Sequence, residues 1–362
     1  MSRQLIGLEQ VDIERSDRKA WIDVARGVSI FLVVIYHINL WFDDLGFGMP
    51  ILLLLDKAFR SIRMPLFFFV SGYLLAINKN SDWTAHIHRR LRLVVYLYGL
   101  WGLIDWIVAY EFNLITTRMK FGSSFSQLLS MWYRPETGLW FIWALAIYLL
   151  LANLFTQIKP VFVLFATSVL SVLAMSKYFP MLNFAQNSSL YYAPFFFLGV
   201  TCGGGIEKII LRYIMPSFAI LFSAYAIVCA VLMDMDFSGL AFGIVRFADC
   251  IIGALLGCCF AVLISKYKVC RWLFGNLGRK TLQIYLPHET IVALLTIQAV
   301  QYIDYFNIKS LILVPVVLFS AILGSLVLAE LAMIGRFNFL YRIPDTFELI
   351  LKRRQALDRS KS

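Results

Sequence analysis

Charge is what this sequence has least of. Only 15% of its 362 residues are Asp, Glu, Lys or Arg, while 60% are apolar; an ordinary globular chain is about a quarter charged. A surface facing water cannot be covered from that supply, which argues against a soluble enzyme or a disordered chain. The cations stand in short clusters between apolar runs and form no continuous basic face, so the net charge of +11 carries no nucleic-acid signal. Polar stretches long enough for a separate soluble domain are missing too, the longest being the two tails and the loop from about Asn113 to Gly138. There is no low-complexity tract and no convincing internal repeat. The six cysteines, Cys202, Cys229, Cys250, Cys258, Cys259 and Cys270, form neither a CxxC pair nor a Cys/His cluster at ligand spacing, so they read as buried free thiols and no metal is expected. No small-residue cleavage site follows the first apolar run, so it is expected to be a retained span and not a signal peptide.

What the chain does have is long apolar runs. A helix needs about 20 mostly apolar residues to cross a bilayer, and about ten such runs fall near 24–42, 49–77, 93–113, 138–157, 160–177, 190–206, 213–233, 239–264, 281–303 and 310–335. The fold expected is all-α, a polytopic membrane helix bundle, with tails 1–23 and 336–362 flanking a transmembrane domain 24–335. The second run carries Asp56, Lys57, Arg60 and Arg63, which suggests a polar, partly re-entrant entry before the apolar stretch from Pro65 to Ile77. Positive loops tend to stay in the cytoplasm. With the N-terminus inside, Arg118, Lys120, Arg134, Lys177 and Lys309 are the only loop cations on the opposite side, so both termini are expected in the cytoplasm. The excess positive charge then reads as this topological signal plus attraction to anionic lipid.

Chemistry must come from ionisable residues inside the bundle or at its mouths. Arg26 and His37 are 11 residues apart, about 1100° of helical rotation, and so share one face about 16.5 Å apart along the axis. Arg26 sits near the cytoplasmic boundary, where a snorkelling anchor paired with Asp23 is as good a reading as function. His37 is too deep to reach that interface and should face the bundle interior or a wet cavity. Arg60 and Arg63, nearly one turn apart, reach a similar depth. They need carboxylates, carbonyls, water or an anionic ligand, and Asp56, Asp105 and Glu111 are the internal partners available. Arg89, Arg90 and Arg92 precede the third span on the same side as Arg26, as ordinary anchors or as a site for an anionic ligand. His288 and Glu289 suit structure or function equally. Arg246 and Asp249 should pair with each other, Trp140 and Trp143 suit an interfacial belt, and Gly72 and Gly199 suit close helix packing.

Arg26-x10-His37 within WIDVARGVSIFLVVIYH, with Arg63 leading into MPLFFFVSGYLLA, resembles the acyltransferase 3 family of bacterial inner-membrane acyltransferases. HRRLRLVVY, GLWFIWALAIYLL, YYAPFFFLGV and LGRKTLQIYLPH extend the resemblance over nearly the whole chain, and RMPLFFFVSG is most like members that O-acetylate surface saccharides such as exopolysaccharide. The resemblance implies an acetyl-CoA donor in the cytoplasm and an acceptor hydroxyl on a periplasmic or lipid-linked glycan, in a stand-alone form without a fused esterase-like domain. Arg26 and His37 match the motif of the first span, and His288 ends a late motif. The Arg-x2-Arg motif fits both Arg60/Arg63 and Arg89/Arg92, with position before a span favouring the latter. By that reading Arg26, Arg89 and Arg92 bind coenzyme phosphates, and His37 acts as general base or transient acyl carrier. Arg60 and Arg63 stabilise an oxyanion or an anionic part of the acceptor, with Trp140 a weaker substrate or structural position. A transporter or flippase for a lipid-linked or anionic solute is the alternative, since buried Arg and His suit that as well. A scaffold in a polysaccharide-synthesis complex is the third reading.

Overall fold

The computed structural model describes residues 2–77, 83–112, 114, 121–154, 158–234, 238–306, 310–334 and 336–344, with side chains from residue 20 onward except 233, 234, 302–306, 310 and 311. Among the described residues there are thirteen α-helices and no strand. They are α1 (Ser2–Asp44), α2 (Pro50–Ile77), α3 (Trp83–Glu111), α4 (Phe125–Ser130), α5 (Trp140–Leu154), α6 (Pro160–Met175) and α7 (Phe184–Arg212), followed by α8 (Ile214–Asp234), α9 (Gly239–Ser265), α10 (Lys268–Arg279), α11 (Thr281–Tyr285), α12 (His288–Phe306) and α13 (Ser310–Ile334). Seven of them, in α1, α2, α3, α7, α8, α9 and α13, are long and apolar enough to cross a membrane, and α5 and α6 are shorter apolar helices. The architecture is the polytopic helical bundle expected, and the count of about ten spans holds approximately. Lys79, Arg118, Lys120, Lys309 and the tail beyond 344 lie outside the described residues.

Helix α1 runs unbroken from Ser2 into the apolar stretch, so the segment ahead of the span is helical too. Two local expectations change. The second run is one continuous helix with Pro65 inside it, not a re-entrant entry. Asp56 and Arg63 are two turns apart and meet at 2.9 Å on one face, so each neutralises the other within the helix. The ninth run is broken into α11 and α12 at Leu286 and Pro287, because Pro287 has no N–H to continue the helix. His288 and Glu289 therefore open α12.

Small residues and aromatics bring the helices together. At Gly72 an added Cβ would collide with the carbonyl of Phe196, and at Gly199 with that of Phe69, so α2 and α7 pack backbone to backbone. Alongside this seam Phe68 stands 4.5 Å from Phe141 and 5.1 Å from Tyr148, and Tyr148 5.5 Å from Phe196, so the aromatic runs of α2, α5 and α7 form one buried block. Trp21 stacks on Tyr73 at 6.0 Å, and Glu207 accepts from Trp21 Nε1 at 3.0 Å and from Tyr73 Oη at 2.7 Å. The start of the apolar part of α1 thus lies beside the ends of α2 and α7. We call this the near end, and the end with Asp44 and Pro50 the far end. After α13 the chain folds back on α3, where Tyr96 Oη donates to the Phe339 carbonyl at 2.9 Å and Trp101 Nε1 to the Leu340 carbonyl at 2.7 Å.

Candidate functional site

His37 of α1 and His288 of α12 are both buried, at 6% and 1% exposure, and touch each other. Two backbone carbonyls decide their proton positions. His288 Nδ1 lies 2.5 Å from the Tyr285 carbonyl and His37 Nδ1 lies 3.0 Å from the Val33 carbonyl. A carbonyl oxygen only accepts, so both Nδ1 atoms carry hydrogen. His288 Nε2 then has a lone pair to take from His37 Nδ1, 3.2 Å away. The donors run from His37 through His288 to the Tyr285 carbonyl, so His37 Nε2 is left with a free lone pair, 4.0 Å from Glu289 Oε1. This is an imidazole held as a base, with the carboxylate near enough to favour a proton that arrives on it.

The break at Pro287 makes the arrangement possible, since it turns α11 away from α12 and sets His288 and Glu289 at a helix start. Glu289 lies against Gly138, where an added Cβ would meet its carboxylate and oblige it to move. Tyr285 Oη donates to the Gly138 carbonyl at 2.5 Å and accepts from the Phe141 N–H at 3.2 Å, which ties α11 to the start of α5. Behind Glu289, Thr290 Oγ1 donates to Asp105 of α3 at 2.7 Å.

A cavity of about 390 Å³ opens toward the far end from His37 and Glu289, with Tyr36, Trp140, Phe184, Asn183 and Glu136 among its walls. Its rim is stitched in place. Asn183 Nδ2 donates to the Pro135 carbonyl and Gln186 Nε2 to the Tyr133 carbonyl, each at 2.9 Å, while Asn183 and Gln186 form a capping box on α7. Arg63, 6% exposed, lies under Tyr36 with its guanidinium 4.0 Å from the ring centroid. Its partner is Asp56, the internal carboxylate weighed from the sequence, so it supports the cavity wall from behind.

A second cavity, of about 270 Å³, opens toward the near end. It has Arg26 and Arg90 at its polar edge, Thr281 beside them and Phe67, Leu145 and Phe196 along its apolar wall. Tyr285 and Phe141 also line it, so the two cavities stand back to back across Tyr285 and the stretch 138–141. Arg26 has Asp23 at 3.8 Å, the pairing anticipated for an anchor, and still faces the cavity.

The structure therefore brings together His37, His288, Trp140 and Arg63 around the far cavity and keeps Arg26 at the near one. Arg89 and Arg92 are exposed and line neither cavity; Arg90 takes the place expected for them. Arg60 lines a third cavity with Lys57 and Arg246, away from His37. Glu289, Arg90 and Asp105 were weighed from the sequence without being assigned to the site, and Tyr285 was missed. A proline immediately before His-Glu inside an apolar run was the visible signal for the first of these.

The family described as an acyltransferase domain matches residues 19–330, which contain both histidines and both cavities. This chain belongs to the acyltransferase 3 family. As a member it is a membrane acyltransferase. It is similar to the inner membrane protein YcfT of Escherichia coli (strain K12), at 26% identity over 209 residues, 52% of this chain and 57% of that protein. It is also similar to the nodulation protein NolL of Sinorhizobium fredii (strain NBRC 101917 / NGR234), at 23% identity over 345 residues, 86% of this chain and 87% of that one. The chain thus spans little more than half the length of YcfT. No solved structure matches it.

Proposed function

We propose that this acyltransferase moves an acetyl or other short acyl group from coenzyme A in the near cavity to a saccharide hydroxyl in the far cavity, with His37 as general base. The observation that carries this reading is the His37–His288 hydrogen bond, which leaves His37 Nε2 with a free lone pair at the wall of the far cavity, back to back with the near one. The near cavity suits an acyl-CoA: guanidinium groups at the edge for phosphates and a narrow apolar wall for the thioester arm. The far cavity suits a saccharide, with Tyr36, Trp140 and Phe184 offering ring faces and Glu136, Glu289 and Asn183 offering hydrogen-bond partners.

In this reaction the acceptor hydroxyl gives its proton to His37 Nε2 as its oxygen attacks the thioester carbonyl carbon. Collapse of the tetrahedral adduct breaks the C–S bond, and the departing thiolate takes the proton back from the imidazolium. His288 keeps the His37 ring in the reactive tautomer, and Glu289 stabilises the ring while it is charged. We place the protein in the bacterial inner membrane, as the name of YcfT suggests. Both termini, including tails 1–23 and 336–362, are then cytoplasmic, the near cavity faces the cytoplasm, and a glycan or lipid-linked saccharide arrives from the other side. A polysaccharide-synthesis complex is the partner this implies.

The test is release of free CoA by the purified protein when acetyl-CoA and an oligosaccharide acceptor are both present. His37→Ala should reduce it at least about 100-fold with folding unchanged. Full transfer by His37→Ala refutes the assignment, and solute movement without CoA release would indicate a transporter instead.

A further inference from the structure

The opposite side of α2 carries a feature that acyl transfer does not use. An apolar groove of about 600 Å³ runs along the outside of the bundle between α1, α2, α8, α9 and α10. Phe31, Phe59, Ile62, Phe218, Phe222 and Phe260 form its walls, and almost nothing polar faces it. It shares Ala58 and Cys229 with the third cavity, of about 240 Å³, which holds Lys57, Arg60, Arg246 and Asp249. Greasy channel and charged pocket are therefore continuous.

The charges in that pocket do not cancel. Asp249 accepts from Arg246 at 2.5 Å and from Ser61 Oγ, so one cation and the only carboxylate neutralise each other. Lys57 and Arg60 have no carboxylate partner among the described residues, because the neighbouring Asp56 is taken by Arg63. Two cations on a membrane-facing surface need an anion or water.

Chain direction orients the feature. On α8 the pocket uses Cys229 and Leu232 and the groove Phe218 to Cys229. On α9 the pocket uses Arg246 and Asp249 and the groove Leu256 to Phe260. On α2 the pocket begins at Leu54 and the groove extends to Ile62. Since α2 and α9 run away from the far end and α8 runs toward it, all three helices set the cations nearer the far end and the apolar walls deeper in the bundle. A lipid of the far leaflet has that polarity, headgroup outward and chain toward the bilayer centre.

From this we infer that the groove and its cationic pocket bind one anionic bilayer phospholipid of the far leaflet, its phosphate on Lys57 and Arg60 and one acyl chain along α8. The source is the surrounding membrane, because α8 is almost wholly on the outside of the bundle, facing lipid. The site stands apart from the His37 chemistry, and its test involves no acyl transfer.

The full chain in detergent is exchanged against equal amounts of phosphatidylglycerol and phosphatidylcholine, and native mass spectra report the lipid retained. A single phosphatidylglycerol should be held in severalfold excess over phosphatidylcholine. Each of Lys57→Gln and Arg60→Gln should cut that ratio about fivefold, while Arg60→Lys should preserve it. The ratio is read within one spectrum of folded protein, so poor yield of a variant lowers signal without imitating the result. Ala226→Trp, which fills the exposed groove wall, should reduce retention of both lipids. An equal ratio in the unaltered protein, a ratio unmoved by Lys57→Gln and Arg60→Gln together, or full retention by Ala226→Trp overturns the site. If a polyprenyl phosphate displaces phosphatidylglycerol and is not displaced by it, the occupant named here is wrong.

Discussion

The two cavities on either side of Tyr285 are opposites in charge. The near one has arginines at its edge and no carboxylate among its lining residues, whereas the far one is lined by Glu136 and Glu289 and no cation. The contrast teaches that the bundle sorts its ligands by sign before any bond is made. A multiply anionic molecule is drawn to one side and repelled by the other, while a neutral polyol is held where carboxylates and ring faces can take its hydroxyls. Between them stands a wall only a tyrosine and a short stretch of α5 thick, with His37 on its far side.

The sharpest way to break that comparison, after loss of His37 itself, is at His288. His288→Ala should lower the maximal rate by about tenfold to 100-fold with little change in the KM for either substrate, since a hydrogen bond that sets a tautomer acts on the chemical step. His288→Gln restores an acceptor for His37 Nδ1 and should recover part of the loss; equal loss in both variants would show that the ring acts in some other way. Next in size, Arg26→Ala and Arg90→Ala should each raise the KM for acyl-CoA about tenfold while leaving the acceptor KM unchanged. Arg89→Ala and Arg92→Ala, outside the cavity, should leave both within about twofold. The reverse pattern would return the donor site to the exposed pair. Smallest, Trp140→Ala should raise the acceptor KM about threefold and leave the acyl-CoA KM alone, which a steady-state titration of each substrate can separate.

Much of the fold was legible because it depends on local pattern. Apolar run lengths located the helices, three turns of spacing put Arg26 and His37 on one face, and Arg246 and Asp249 met as an i, i+3 pair. The glycines at 72 and 199 likewise mark the α2–α7 seam. The site was legible only in part, because it depends on the phase of each helix against its neighbours. Arg89 and Arg92 are turned from Arg90 by about 100° and 200° of rotation, and spacing alone does not say which of the three faces inward. Arg60 and Arg63 are a turn apart, yet α1 lies against one and α8 and α9 against the other, so a motif that reads as a pair serves two cavities. His37 and His288 are separated by 251 positions, and their contact follows only from how α12 is packed.

The strap formed by 338–341 bears on the order of assembly. Trp101 and Tyr96 of α3 are held by main-chain oxygens that emerge from the ribosome after all thirteen helices. The helix that supplies Arg90 is thus fastened at its middle by the latest described part of the polypeptide. A nascent chain interrupted ahead of Asn338 would carry every described transmembrane helix and still leave the near cavity with one loose side.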